Sequence, residues 1–196
     1  MKLGIIGAGG VGGYFGSLIA KAGFDVVFIA RGKNLEAIRQ NGLQIKSFLG
    51  DFHVKNVKVT DELTALSDVD VVILATKAWQ VSDIAVQLKD IISQNVVVLP
   101  LQNGIMAYDE LSAVLGPNRV LCGLCRIMSK IEKPGVIIHS GIEPFIYFGE
   151  QNNEKSSRCL QIKEVFDLSG ISSEIPERIE AEVWKKFINI CVGGLL

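Results

Sequence analysis

Histidine is scarce: His53 and His139 are the only two in 196 residues, and neither has a neighbour at metal-ligand spacing. No metal site is therefore expected. The four cysteines, Cys122, Cys125, Cys159 and Cys191, include one CxxC and no second one to complete a zinc site. The surrounding RVLCGLCRI reads as a strand, on which residues three apart face opposite sides. Reduced, structural thiols are expected. No block of Lys or Arg and no basic helix is present, and the formal net charge is −1. Nucleic acid and anionic membrane are thus excluded as partners. No apolar run approaches the roughly 18 residues of a membrane span. The apolar start MKLGIIG runs straight into glycines and lacks a cleavage-site pattern, so a cytoplasmic protein is expected.

What the chain does have is apolar residues, 48% of the total, enough for a sizeable core. A strand at Lys2–Ile6 is followed by a glycine cluster, a helix over Val11–Ala22 and a strand at Asp25–Ala30, which together make a βαβ unit. A short helix follows at Leu35–Gln40. Short strands at Leu43–Lys46 and Val54–Val59 flank a turn at Gly50-Asp51, and Asp61–Leu66 reads as a brief helix. The run DVVILA, Asp70–Ala75, is apolar throughout, as for a parallel strand covered on both faces. Helices at Val81–Ile92 and Tyr108–Leu115 bracket a strand at Val96–Leu99. From Arg119 the rhythm changes to strands at 119–127, 135–139 and 145–148, separated by KPG and SGIEP, which suggests an antiparallel extension. A helix at 154–168 and a strand at 171–175 follow. Pro176 then opens a long final helix. The fold class is α/β: a Rossmann-type doubly wound sheet with an antiparallel extension.

Gly7-Ala8-Gly9-Gly10-Val11-Gly12 matches GxGxxG, between a strand and a helix as the dinucleotide motif requires. Gly7 permits the turn, Gly9 lets backbone approach a pyrophosphate, and Gly12 lets helix and strand pack closely. The phosphates would rest on the helix N-terminus. The second strand ends in Ile29-Ala30-Arg31, without the acid that would bind a ribose 2′-hydroxyl. The fork of Arg31 suits the 2′-phosphate of NADPH. Lys77, in the segment after strand 70–75, could bond a ribose or screen phosphates. Asn103, in the segment after strand 96–99, could meet a ribose hydroxyl or a substrate carboxylate.

The final helix has an apolar stripe of Ile179, Val183, Phe187 and Ile190. With Ile179 at zero and about 100° per residue, Lys186 falls near −20°, inside the stripe, and Lys185 near −120°, on the polar side. Lys185 is a solvated charge. Lys186 either snorkels over apolar surface or acts as a general acid toward a ketone oxygen receiving hydride. The helix runs to CVGGLL without a polar cap, from which a further domain packed on it is expected.

These residues resemble the ketopantoate reductase (2-dehydropantoate 2-reductase) family. GAGGVG at 7–12, Arg31, KAWQVSD at 77–83, QNG at 102–104, PGVIIHSG at 134–141 and EVWKKF at 182–187 occur in that family's order and spacing. The resemblance implies an NADP-binding Rossmann domain at 1–174, with 175–196 the first helix of an all-helical substrate domain. It implies reduction of 2-dehydropantoate to pantoate, for pantothenate and coenzyme A synthesis, by NADPH. Lys186 is then the catalytic lysine, and Lys77 and Asn103 line the cofactor and active-site cleft. The partner is a small 2-oxo acid, and a homodimer through the helical domain remains open. The family pattern has substrate-binding asparagines one and two turns after the lysine. Here those positions are Ile190 and Gly194, and Asn189 points about 100° away from the first. Another 2-oxo acid as substrate, and a non-catalytic NADP(H)-binding module, stay open as alternatives. Part of the site is expected in the further domain, so this chain is expected to bind NADPH yet turn over poorly.

Overall fold

A computed structural model describes residues 1–193. The strands are β1 (Lys2–Ile6), β2 (Asp25–Ile29), β3 (Leu43–Ser47), β4 (Phe52–Val54), β5 (Lys58–Thr60), β6 (Val71–Leu74), β7 (Val97–Pro100), β8 (Cys122–Lys133), β9 (Val136–Gly149) and β10 (Ser173–Glu174). The α-helices are α1 (Gly10–Lys21), α2 (Gly32–Asn41), α3 (Val81–Lys89), α4 (Ala107–Leu115), α5 (Ser157–Leu168) and α6 (Ile179–Gly193). Short 3₁₀ turns cover Leu63–Leu66, Ala78–Gln80 and Pro117–Arg119.

The first sheet is parallel, in the order β5-β2-β1-β6-β7. Strands β1, β2, β6 and β7 are apolar because both faces are covered, whereas β5 is a partly exposed edge. Alternate residues separate into two cores. Leu3, Ile5, Val26, Phe28, Val71, Ile73 and Leu99 face α1, β9 and α5. Ile6, Val27, Ile29, Val72, Leu74 and Val98 face α3 and α4. A single truncation in either layer, such as Phe28→Ala, removes a fully buried ring and costs about 3–5 kcal/mol.

The antiparallel extension is a long β8–β9 hairpin turning at Pro134-Gly135. It builds a second sheet, β10-β9-β3-β4 with β8 on β9, joined to the first through the bridge Val98↔Val120. The segment SGIEP is not a turn between two strands. It lies within β9, where pairing passes from Met128↔Ser140 to Arg126↔Phe145, leaving 141–144 opposite Ile127 alone. Gly141 has φ of +83° there. The expected strand at Val54–Val59 divides: β4 pairs with β3, and β5 joins the parallel sheet. Pro176 precedes α6 and does not sit in its first turn. The amide of Ile179 instead donates to the Asn153 side chain at 3.0 Å.

Helix α1 lies between the two sheets, and its glycines set both separations. A Cβ at Gly16 would come 2.5 Å from the Phe28 ring, and one at Gly13 would come 2.1 Å from Ile137 Cδ1. At the far end of β9, Glu150 accepts hydrogen bonds from Ser156 (2.6 Å) and from the Arg158 guanidinium (2.6 and 2.5 Å). That pair fixes the entry to α5. No helix among the described residues is long and apolar enough to cross a membrane.

Candidate active-site cleft

Strands β1, β2, β6 and β7 end side by side, and the residues that follow them line two clefts at that sheet edge. The first, about 360 Å³, is lined by Gly7, Ala8, Gly9, Arg31, Asn34 and Thr76 among others. Gly7 has φ of +97°, and a Cβ on it would come 2.8 Å from the Ala75 carbonyl. A Cβ on Gly9 would meet nothing within 4 Å, because it would project into the groove. Gly12 and Gly10 pack against backbone: a Cβ would come 2.3 Å from the Gly7 carbonyl and 2.5 Å from that of Ser129, respectively. Close packing thus constrains Gly10 in addition to its place in the glycine motif.

The groove fits an anionic dinucleotide. The first-turn amides of a helix have no partner within it, and α1 has neither a side-chain cap nor an acid in that turn. The buried hydroxyl of Thr76 also lacks a partner. Arg31 is exposed at the start of α2 and, among the described residues, forms no ion pair. Asn34 was not anticipated from the sequence. Its amide donates to the Ala8 carbonyl (2.8 Å) and its oxygen accepts from the Gly135 amide (2.9 Å), tying the glycine loop to the hairpin tip.

The second cleft is larger, about 690 Å³, and brings together Val11, Lys77, Asn103 and Lys186. Lys77 and Asn103 are exposed on the sheet edge; Gly104, at φ of +104°, completes the turn that presents Asn103. Gln102 behind it is buried, and both polar atoms of its side chain lack partners. On α6 both lysines line this cleft, but they differ in exposure and partner. Lys185 is exposed and pairs with Glu182 at 2.6 Å. Lys186 is partly buried and faces the cleft. Burial holds its ammonium below the ordinary lysine value, with the charge of Arg126 acting in the same direction.

Ile190 lines this cleft, and so does Asn189, which the helical wheel had aimed elsewhere. Gly194 lies outside the described residues. Arg126 and Ile127 of β8 and Ile142 of β9 also line the cleft. Pairing across β8–β9 and the irregularity in β9 bring them there, and neither is encoded in local periodicity. His139 holds that irregularity: its Nε2–H donates to the Ile142 carbonyl at 2.9 Å, leaving Nδ1 to accept from Ser47 at 2.8 Å.

Cys122 and Cys125 are both buried on β8. The first donates to Gln151 (2.6 Å) and the second contacts the Leu101 carbonyl (3.5 Å). Burial pushes their thiols up to about 12 and about 11. They are protonated and unreactive at neutral pH. Cys159 is buried as expected, whereas Cys191 is exposed on α6.

Residues 3–153 match the family model described as ketopantoate reductase PanE/ApbA. An uncharacterized oxidoreductase, YkpB, of Bacillus subtilis is 37% identical over 195 residues, covering 97% of this chain and 62% of that protein. The chain thus spans less than two thirds of that relative's length. The crystal structure of 2-dehydropantoate 2-reductase from Porphyromonas gingivalis superposes with a TM-score of 0.92 at 30% identity, covering 98% of this chain and 69% of that one. A D-mandelate dehydrogenase solved in complex with NADH gives a TM-score of 0.81 at 25% identity, covering 99% of this chain and 60% of that one.

Proposed function

The chain belongs to the ketopantoate reductase family PanE/ApbA, and from that premise we propose that the protein is an NADPH-dependent reductase converting 2-dehydropantoate to pantoate. The observation that carries this reading is the convergence of Lys186 and Asn103 on one cleft beside the groove of the glycine loop.

Residues 1–174 act as the coenzyme domain. The amides at the start of α1 bind the pyrophosphate. Arg31 pairs with the 2′-phosphate, and with no acid at the end of β2 this favours NADPH over NADH. Lys77 and Asn103 hold the coenzyme and substrate against each other across the cleft. The reduced nicotinamide supplies hydride when bound. Lys186 donates a hydrogen bond to the ketone oxygen and then transfers its proton as negative charge grows there. Partial burial lowers the lysine toward a pKa at which donation is efficient. Helix α6 leaves Trp184, Ile188 and Val192 exposed, which supports residues 175–196 as the start of a helical substrate domain.

The test is NADPH oxidation by the full-length protein with 2-dehydropantoate. Lys186→Ala should lower kcat by at least about 100-fold, with NADPH affinity unchanged. Unchanged turnover removes the lysine from the reaction. Absent turnover in the parent protein, with NADPH still bound, favours a non-catalytic NADP(H)-binding module. One observation favours a second substrate: Ile190 lines the cleft where the family pattern has an asparagine. A higher kcat/KM for another 2-oxo acid with an apolar side chain would establish that reading.

A further inference from the structure

The larger cleft holds more positive charge than the proposed chemistry uses. Lys186 serves the ketone oxygen, Lys77 is assigned to the coenzyme, and Lys185 is neutralised by Glu182. Arg126 remains. It projects from β8 into the same cleft, is exposed, and among the described residues forms neither an ion pair nor a side-chain hydrogen bond. Beside burial, the larger cause, its charge acts on Lys186 in the direction that disfavours the ammonium. Two unpaired cations facing one cleft repel each other, and an anion between them relieves the repulsion.

The substrate class supplies such an anion. In a 2-oxo acid the carboxylate is bonded directly to the ketone carbon. A substrate whose ketone oxygen meets Lys186 must therefore place its carboxylate beside that lysine, within the same cleft. The pyrophosphate is provided for elsewhere, in the groove of Gly7, Gly9 and Arg31. In the same lining Ile127, Ile142 and Ile190 offer nothing to a carboxylate, and Asn103, Ser129, Tyr147 and Asn189 offer hydrogen-bonding groups but no positive charge. A guanidinium on a strand can grip both carboxylate oxygens at once and so fix the ketone's orientation.

We infer that Arg126 is the carboxylate-binding residue of the active site and restricts it to 2-oxo acids over neutral ketones. This rests on the reductase reading, and the test separates the two. In the full-length protein at saturating NADPH, Arg126→Gln should raise KM for the 2-oxo acid by roughly 10- to 100-fold, the effect of losing a charge-assisted pair. The change in kcat should be smaller, KM for the primary amide of the same substrate should be unchanged, and Arg126→Lys should recover part of the loss. Calorimetric titration of NADP-loaded protein with oxamate, an unreactive carboxylate analogue, gives a readout without turnover. Oxamate should bind the parent and bind Arg126→Gln roughly 10- to 100-fold more weakly. If no 2-oxo acid is reduced but oxamate binding still depends on Arg126, the anchor stands and the reductase reading fails. If turnover is present and Arg126→Gln leaves both KM and oxamate binding unchanged, the anchor is overturned and the reductase stands. Loss of NADPH affinity in Arg126→Gln, or no oxamate binding in the parent, also overturns it.

Discussion

Replacing Gly9 and Gly12 separately by alanine should damage different properties, although both belong to one glycine motif. At Gly12 the added methyl would lie 2.3 Å from the Gly7 carbonyl oxygen and 3.0 Å from both Ala75 Cβ and Ile5 Cγ2. The first distance is about 1 Å inside ordinary van der Waals contact, and its neighbour is backbone that cannot swing aside. Helix α1 must therefore move off β1. Overpacking of this kind costs about 1–3 kcal/mol, which lowers Tm by roughly 2–12 °C in a domain of this size. At Gly9 the methyl meets nothing within 4 Å, and the backbone, at φ of −89° and ψ of −159°, suits an L-residue. Stability should stay within about 0.5 kcal/mol of the parent. That methyl would, however, occupy the groove where a pyrophosphate approaches the amides. Each charge-assisted bond lost there weakens NADPH by about 10- to 100-fold. Circular-dichroism melting and fluorescence titration with NADPH measure the two effects side by side. Parent-like NADPH affinity in Gly9→Ala, or an unchanged Tm in Gly12→Ala, would refute the division of roles.

Four further outcomes are expected. The lowered pKa of Lys186 means that kcat/KM for reduction falls on the alkaline side, at a pH below the ordinary lysine value of 10.5, as the ammonium is lost; a pH–rate profile with no such limb would argue against the lysine as acid. The same shift makes Lys186→Met more heat-stable than the parent at neutral pH, because the unfolded chain binds that proton more tightly; the gain should shrink as pH rises through the lowered pKa, and melting curves across pH would show it. Arg158→Met should cost about 1.5–3 kcal/mol at neutral pH by orphaning the nearly buried Glu150, whose carboxyl is held below its ordinary range despite burial by its bonds to Arg158 and Ser156. In the parent that stabilisation is present above the unfolded carboxyl pKa and lost as pH falls through the folded one, so denaturant melts should show the penalty of the variant shrinking in acid. Iodoacetamide at neutral pH, followed by peptide mapping, should spare the buried Cys122, Cys125 and Cys159 in the native protein and label them after denaturation.

The parallel sheet was legible in the sequence because its signals are local. Continuous apolar strands, a glycine loop before a helix and the absence of an acid after Ile29 each depend on a few adjacent residues. Lys186 was legible for the same reason, since helical geometry sets it about 100° from Lys185, and it is the more buried of the two although both line the cleft. The rest of the cleft depends on pairing between distant segments. Arg126, Ile127 and Ile142 reach it through the β8–β9 register and the extra residues at 141–144. Nothing in the segment SGIEP distinguishes a turn from an irregular strand held by His139. Gly10 carries a constraint of the same distant kind: a Cβ there would meet the Ser129 carbonyl, which the motif does not announce. Asn34, tied to both the Ala8 carbonyl and Gly135, was hidden because its second partner lies 101 residues away.

Calorimetric titration of the full-length protein with NADPH and NADH, repeated on Arg31→Ala, bears most directly on the glycine-loop groove as a coenzyme site. The parent should bind both coenzymes at one site, NADPH more tightly, and the variant should lose most of that preference while still binding NADH. No heat with either coenzyme, or a preference unchanged by Arg31→Ala, would contradict it.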